Sequence, residues 1–340
     1  MMMKRYFFIG FMAFFVSIMI SSTTLMAAEI QKFHFGLWGD MPYAKAKDEL
    51  KMPALLASIN ASQIAFSIYD GDIKDGSSQC TDKVFSDAIS MFNSMTMPVI
   101  YVPGDNEWTD CHRLNNGGYD NLERLSYLRK VMFAKSESFG KTKFKLEHQG
   151  KTGEKFVENT RFSYGNIIFI GLNVPGSNNN KVLDEKDCSN KSVRTPSHCA
   201  ADNAEYIERD SANIAWMKES FAYAKAQKSP GIVVTIQADP GFDLPETEEI
   251  DESKHPSVSG YTNFLNALVS ETEKYNGQVL LVHGDTHFFK IDKPLYSPSK
   301  ILSNLTRVQT FGSPSIHWVR VSVNPRTSNV FTIQPVIVKQ

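Results

Sequence analysis

Three aspartates, Asp40, Asp72 and Asp105, each follow a short apolar run and precede a turn, at intervals of about one βαβ unit. The runs are Phe33 to Gly39, Ile64 to Tyr69 and Val99 to Pro103. A fourth run, Val279 to Val282, ends in His283-Gly284-Asp285-Thr286-His287. Parallel strands read as near-continuous apolar runs, and their carboxyl-terminal ends gather along one edge of a sheet. Carboxylates and imidazoles converging there have the donor chemistry of a metal site, with oxygen suited to hard cations and nitrogen to transition metals.

The elements that must position these groups alternate. Asp48 to Ala61 carries Leu50, Ala54, Leu55 and Ile59 at helical spacing, and Thr81 to Met95 and Asn121 to Ala134 repeat the pattern. The spacing then predicts antiparallel strands at Lys143 to His148, Thr160 to Tyr164 and Ile167 to Asn173, the last apolar enough to be central. A helix is expected from Glu205 to Lys228, a strand from Ile232 to Ile236 and a helix from Tyr261 to Lys274. The tail from Val308 to Val338 alternates like a sheet around the turn Phe311-Gly312-Ser313-Pro314. Residues 176–204 and 239–256 are polar and read as insertions. No internal repeat or clean linker interrupts the pattern, which predicts one domain over residues 29–340.

The composition, 42% hydrophobic and 21% charged with a net charge of −1, is that of a chain able to bury a sizeable core. It lacks the long basic run that tracks a nucleic-acid backbone, which argues against bulk nucleic acid and leaves a small phosphorylated substrate open. Lys4 and Arg5 precede an apolar stretch from Tyr6 to Ile20, with small residues at Ala27 and Ala28. That is the layout of a secretory signal peptide over residues 1–28, its apolar run shorter than the roughly 20 residues of a spanning helix. Cleavage after Ala27 or Ala28 predicts a secreted or periplasmic protein with no membrane association. Without Lys4 and Arg5, 34 basic residues face 37 acidic ones, for a mature charge of −3.

An exported compartment permits disulfides among Cys80, Cys111, Cys188 and Cys199, and three pairings are open. Cys80 and Cys111 each follow an acidic strand end, so neighbouring strands would bring their loops together. Cys188 and Cys199 bracket part of the polar insertion. We expect Cys80 with Cys111 and Cys188 with Cys199; a zinc site would call for C-x-x-C spacing, which is absent.

The order Gly39-Asp40, Gly71-Asp72-Ile73-Lys74-Asp75-Gly76, Gly104-Asp105-Asn106-Glu107 and Gly284-Asp285-Thr286-His287 resembles the calcineurin-like metallophosphoesterases, over about Phe33 to Pro314. Their usual motifs are D-x-H, G-D-x-x-D, G-N-H-D/E, a later lone His and G-H-x-H. The resemblance implies an α/β (α+β layered) fold, a four-layer αββα sandwich with surface insertions, and one or two divalent metal ions at the strand ends. By position it assigns Asp40, Asp72, Asp105, Asp285 and His287 as metal ligands, with Asp72 bridging. It further implies a phosphomonoester or phosphodiester substrate attacked by metal-activated water.

Several positions depart from that pattern. Pro42 stands where the first motif has His, and Asn106 where the third has its catalytic His, so a hydrogen-bond donor replaces a proton carrier. Ala238 occupies the place of the lone His, leaving its neighbours Gln237 and Asp239 as additional candidate ligands. His283 is misaligned by one residue and joins Asn106 as a candidate catalytic or supporting group. The loss of histidine leaves an oxygen-rich site, which favours Mg²⁺, Mn²⁺ or Ca²⁺ over Zn²⁺ or iron.

Each residue also has a plainer reading. Asp40 and Asp75 suit turns, His112 and His317 suit surface or packing positions, and Lys74 suits solvent by default, although its place between Asp72 and Asp75 would let it meet an anionic substrate. Trp108, Trp318, Phe288 and Phe289 suit core or pocket wall. Three functions follow: a metal-dependent phosphoesterase, a non-catalytic protein binding metal and a phosphate or phosphate-bearing glycan, or a secreted structural or interaction protein.

Overall fold

The computed structural model describes residues 1–3, 31–43, 45–242, 252–297 and 300–339. The signal-peptide expectation lies outside the described residues apart from 1–3, as does the middle of the 239–256 insertion.

The first half runs β1 (Phe33–Trp38), α1 (Ala46–Ala61), β2 (Phe66–Tyr69), α2 (Asp82–Ser94), β3 (Val99–Tyr101) and α3 (Asn121–Met132). Next come β4 (Glu147–His148), β5 (Thr160–Tyr164), β6 (Ile167–Gly171), the one-turn α4 (Gly176–Asn179), α5 (Glu185–Ser189) and α6 (Pro196–Ala226). β7 (Gly231–Thr235), α7 (Thr262–Glu273), β8 (Gln278–His283), β9 (Lys290–Asp292), β10 (Tyr296–Ser297), β11 (Lys300–Ile301), β12 (Leu305–Gln309), β13 (Trp318–Val323) and β14 (Phe331–Val336) complete the order.

These strands build a five-stranded sheet, β14-β13-β1-β2-β3, and a seven-stranded sheet, β4-β5-β6-β7-β8-β12-β9, with β10 and β11 as a separate pair. β1, β2 and β3 are parallel, as are β6, β7, β8 and β12. Side-chain alternation assigns the layers. Phe35, Leu37, Phe66 and Ile68 of the first sheet join Phe169, Val233, Leu280 and Val308 of the second in a core between the sheets. Trp38 and Tyr69 point the other way, into a cluster with Leu55, Phe92 and Leu125 from α1, α2 and α3. Ile232 and Val234 likewise meet Trp216, Phe221 and Phe264 from α6 and α7. The result is the α/β/β/α sandwich expected from the sequence.

Two elements differ from expectation. Residues 143–146 do not join the sheet ahead of β4; they pair locally with 136–138 through Ser138 N–H to Phe144 O (2.9 Å) and Leu146 N–H to Ser136 O (3.1 Å). Helix α6 starts at Pro196, nine residues before the expected Glu205. Its start is specified by chemistry the polar composition hid: Pro196 opens the first turn, and Thr195 and His198 form a reciprocal capping box.

Both expected disulfides form, Cys80–Cys111 and Cys188–Cys199, with Cα separations of 5.7 and 5.9 Å. No helix among the described residues is long and apolar enough to cross a membrane.

Candidate functional site

The parallel strands of both sheets end at the same edge, and the residues following them meet there. Asp40 follows β1, Asp72 follows β2 and Asp105 follows β3; Gln237 follows β7, while Asp285 and His287 follow β8. Asp285 N–H lies 3.2 Å from both carboxylate oxygens of Asp40, which joins the two sheets at the site, and Asp40 N–H donates to Gly71 O at 2.9 Å, which ties the neighbouring ends of β1 and β2. Glycine permits the approach: an added Cβ on Gly284 would collide with the Asp40 carboxylate.

Asp40, Asp72, Asp285 and His287 all have positive φ, between 50° and 76°. Left-handed backbone at non-glycine residues is costly and is retained where the surroundings over-determine it, as at ligand-holding sites.

Asp40, Asp72 and Asp105 are buried, Asp40 fully so and Asp105 only 6% exposed, while Asp285 is half-buried. Burial, followed by repulsion from Asp105, Asp40, Glu107 and Asp285, pushes the Asp72 carboxyl well above the ordinary range. Burial and then Asp105 do the same to Asp285. Asp40 is also raised, chiefly by burial, against the opposing pull of His287, whose Nε2 lies 3.5 Å from Asp40 Oδ1. His287 is lifted on balance by Asp40 although burial works against it. Its Nδ1 donates to Ser313 O at 2.7 Å, which turns Nε2 toward the carboxylates. That is the orientation of a ligand histidine, whose second nitrogen is usually held by a carbonyl or carboxylate.

Three neutral groups fill the space between the acids. The Tyr43 hydroxyl is 3.2 Å from Asp72 Oδ2 and 3.0 Å from His287 Nε2. Asn106 donates its amide to Asp72 Oδ2 at 2.6 Å and its backbone N–H to Asp72 Oδ1 at 3.1 Å. Gln237 Nε2 spans Asp105 Oδ1 (3.2 Å) and Asp285 Oδ1 (3.4 Å), while its Oε1 accepts from Gly176 N–H at 2.5 Å. A Cβ on Gly176 would lie 2.7 Å from Asp105 and 2.9 Å from Asp285, so only glycine leaves room there.

In donor type these residues fit a hard divalent cation: buried oxygen donors with little countercharge, one oriented imidazole and a glycine-lined cradle. In arrangement they are closed by hydrogen bonds, and among the described residues no three His, Cys, Asp or Glu side chains form a group ready to hold a metal ion.

The other candidates lie apart. Asp239 donates its backbone N–H to Asp285 Oδ2 at 2.9 Å, but its carboxylate turns to Gly241 and Thr286. His283 is fully buried against Phe242, with Asp239, Arg307 and Asp292 as its charged neighbours, and burial first holds it down at about 4. Lys74 is not solvated as expected: it is 4% exposed, beside Asp72, Asp110 and Glu107, with Nζ bonded to Asp75 O at 2.7 Å. Phe288 is no core or wall residue but 74% exposed.

Sequence reading missed Tyr43, Asp110 and Ser177. Ser177 Oγ lies 2.7 Å from Asp105 Oδ2 and 2.6 Å from Asp110 Oδ1, and Arg113 completes the group at 2.5 Å from Asp110. Ser177 is delivered by a run of left-handed residues, Ser177 to Asn180, with φ from 50° to 62°. Arg209, fully buried, secures that run through Asn179 Oδ1 (2.5 Å) and Asn179 O (2.9 Å) and is paired with Glu205 at 2.6 Å. The Ser177-Asn178-Asn179-Asn180 string was the available signal, since Asn tolerates left-handed backbone best among non-glycine residues.

No protein-family model matches the chain, and no curated protein sequence is significantly similar to it. Solved structures do resemble it. PhoD aligns over 89% of this chain and 68% of its own, with a TM-score of 0.50 and 12% identity. GAP50, described as the anchor in the inner membrane complex of Plasmodium, covers 91% and 90%, at TM-score 0.45 and 12% identity. The 5'-nucleotidase from Candida albicans covers 90% and 51%, at TM-score 0.43 and 13% identity. The architecture together with the likeness to PhoD defines a metallophosphoesterase-like fold.

Proposed function

We propose that this chain is an exported, metal-dependent phosphoesterase that hydrolyses a small phosphomonoester or phosphodiester. One observation carries the reading: the buried carboxylates Asp40, Asp72 and Asp105 from the first sheet converge with the half-buried Asp285 from the second with little countercharge, and several are held there by left-handed backbone. Such repulsion is costly unless a cation is to be received. Asp40, Asp72, Asp105, Asp285 and His287 would hold one or two ions, Mg²⁺, Mn²⁺ or Ca²⁺ ahead of Zn²⁺ or iron because oxygen donors dominate. When bound, a divalent cation neutralises phosphoryl oxygens and lowers the pKa of water.

The chain's own residues then have distinct tasks. Asn106, freed from Asp72, can donate its amide to a phosphoryl oxygen and orient it, but it has no proton to relay. Gln237 and Tyr43, which now satisfy the carboxylates, are the groups that must yield. Lys74 supplies positive charge beside Asp72. The two disulfides and the amino-terminal signal layout support export.

A second reading, a non-catalytic protein that binds metal and a phosphate or phosphate-bearing glycan, is favoured specifically by Asn106 in place of a proton-carrying histidine. Hydrolysis of p-nitrophenyl phosphate and its bis ester separates the two. Turnover that requires added Mn²⁺ or Mg²⁺ supports the enzyme; metal-dependent phosphate binding without turnover supports the binder.

A further inference from the structure

Beside the carboxylates lies a cavity of about 230 Å³ that the proposed chemistry does not use. His112, Arg113, Asn178, Asn180, Lys181 and Arg194 contribute to its wall, together with Asp110 and Asp187. We propose that this cavity is a second, oxyanion-binding subsite, which takes a phosphate or carboxylate on the part of the substrate beyond the reacting phosphoryl group. The assignment of that group to the substrate rests on the phosphoesterase reading; the anion site itself does not.

Three features support it. The first is charge. Arg113, Lys181 and Arg194 face the cavity against two carboxylates, and Arg194 is already balanced by Asp202 at 3.2 Å. Arg113 is paired with Asp110 at 2.5 Å but keeps 38% of its side chain exposed, and Lys181 Nζ meets only neutral oxygens within hydrogen-bond reach, those of Ser259. The second is the ring of His112, 7% exposed, which lines the cavity beside Arg113 and Arg194. Burial, then Arg194 and Arg113, holds this ring down at about 3, so the occupant meets a neutral imidazole.

The third feature is rigidity and position. Cys111 precedes His112 in one disulfide, and Cys188–Cys199 closes the facing wall. The walls are joined by Leu114 N–H to Lys191 O (2.9 Å) and Val193 N–H to His112 O (3.1 Å). Arg113 Nη2 lies 3.2 Å from Ser177 Oγ, which in turn reaches Asp105, so one hydroxyl separates the cavity from the carboxylates. The substrate class this implies is a phosphoester bearing a further anionic group, placed by a charged pocket whose hydrogen bonds are charge-assisted.

Calorimetric titration of the mature chain in chelator, with inorganic phosphate and with acetate, tests the subsite apart from any metal. We expect saturable binding of at least one anion that is retained in Asp72→Asn and weakened at least about tenfold in Arg113→Gln and in Lys181→Met. Arg113→Lys, which keeps the charge, recovers part of the loss and controls for folding. Binding of neither anion, binding that appears only with added Mn²⁺, or binding indifferent to both substitutions would overturn the proposal. Failure of hydrolysis alone would sink the enzyme reading and leave the anion site standing.

Discussion

The hydroxyl of Tyr43 lies 3.0 Å from Nε2 of His287, in the space between that imidazole and Asp72. The phenol gives its one proton to Asp72 and can accept from a protonated His287 Nε2–H, so it occupies the place between acid and imidazole that a cation would take. It also has to be displaced, or turned into a ligand, when a cation enters.

Tyr43→Phe separates those roles. Removing the hydroxyl is expected to cost about 1 kcal/mol of stability in chelator, seen in urea denaturation, because the buried Asp72 loses a donor and His287 loses a partner. Mn²⁺ affinity should rise by up to about tenfold, since less has to be broken on loading. Weaker Mn²⁺ binding in Tyr43→Phe would instead make the phenol a ligand.

The buried acids predict a pH dependence with a definite sign. Asp110 is raised from 3.8 to about 7, by burial and then by Asp105, so the folded chain holds its proton where the unfolded chain has lost it. A carboxyl with a raised folded pKa costs stability progressively as pH climbs from 3.8 through about 7. His112 and His283, held at about 3 and 4, act in the opposite direction up to their ordinary 6.5. Asp40, Asp72 and Asp285, all raised, act in the same direction as Asp110. In chelator, stability should therefore fall as pH rises above 6.5 through the Asp110 value of about 7, with Asp110→Asn flattening the slope and added Mn²⁺ restoring stability most at the upper end. Urea midpoints across that range provide the check, and a midpoint that rises with pH contradicts the prediction.

Arg209 should be among the residues least tolerant of change. It is fully buried, paired with Glu205, and secures the left-handed run that carries Ser177. Arg209→Leu strands Glu205 and frees Asn179, for an expected loss of about 3–5 kcal/mol in urea unfolding. A loss below 1 kcal/mol would mean the run holds itself.

The first three parallel strands were legible because each is an apolar run closed by a Gly-Asp pair, at Gly39-Asp40, Gly71-Asp72 and Gly104-Asp105. The early start of α6 lay in a Thr195-Pro196 cap embedded in a stretch whose polarity suggested a loop. In the site, the acids could be read, since a charged residue after a strand end is conspicuous. Tyr43 and Ser177 could not, because a tyrosine and a serine near turns are commonplace, and neither could Asp110, which follows no strand end. Only the packing of one sheet edge against the other decides which of them is buried among carboxylates.

That the carboxylates form a cation site is tested most directly by equilibrium titration of Mn²⁺ into the chelator-stripped protein and into Asp72→Asn, with bound metal measured. The account predicts one or two ions per chain, with affinity at least about tenfold weaker or one ion lost in Asp72→Asn. No binding at millimolar Mn²⁺, or equal binding by both proteins, would contradict it.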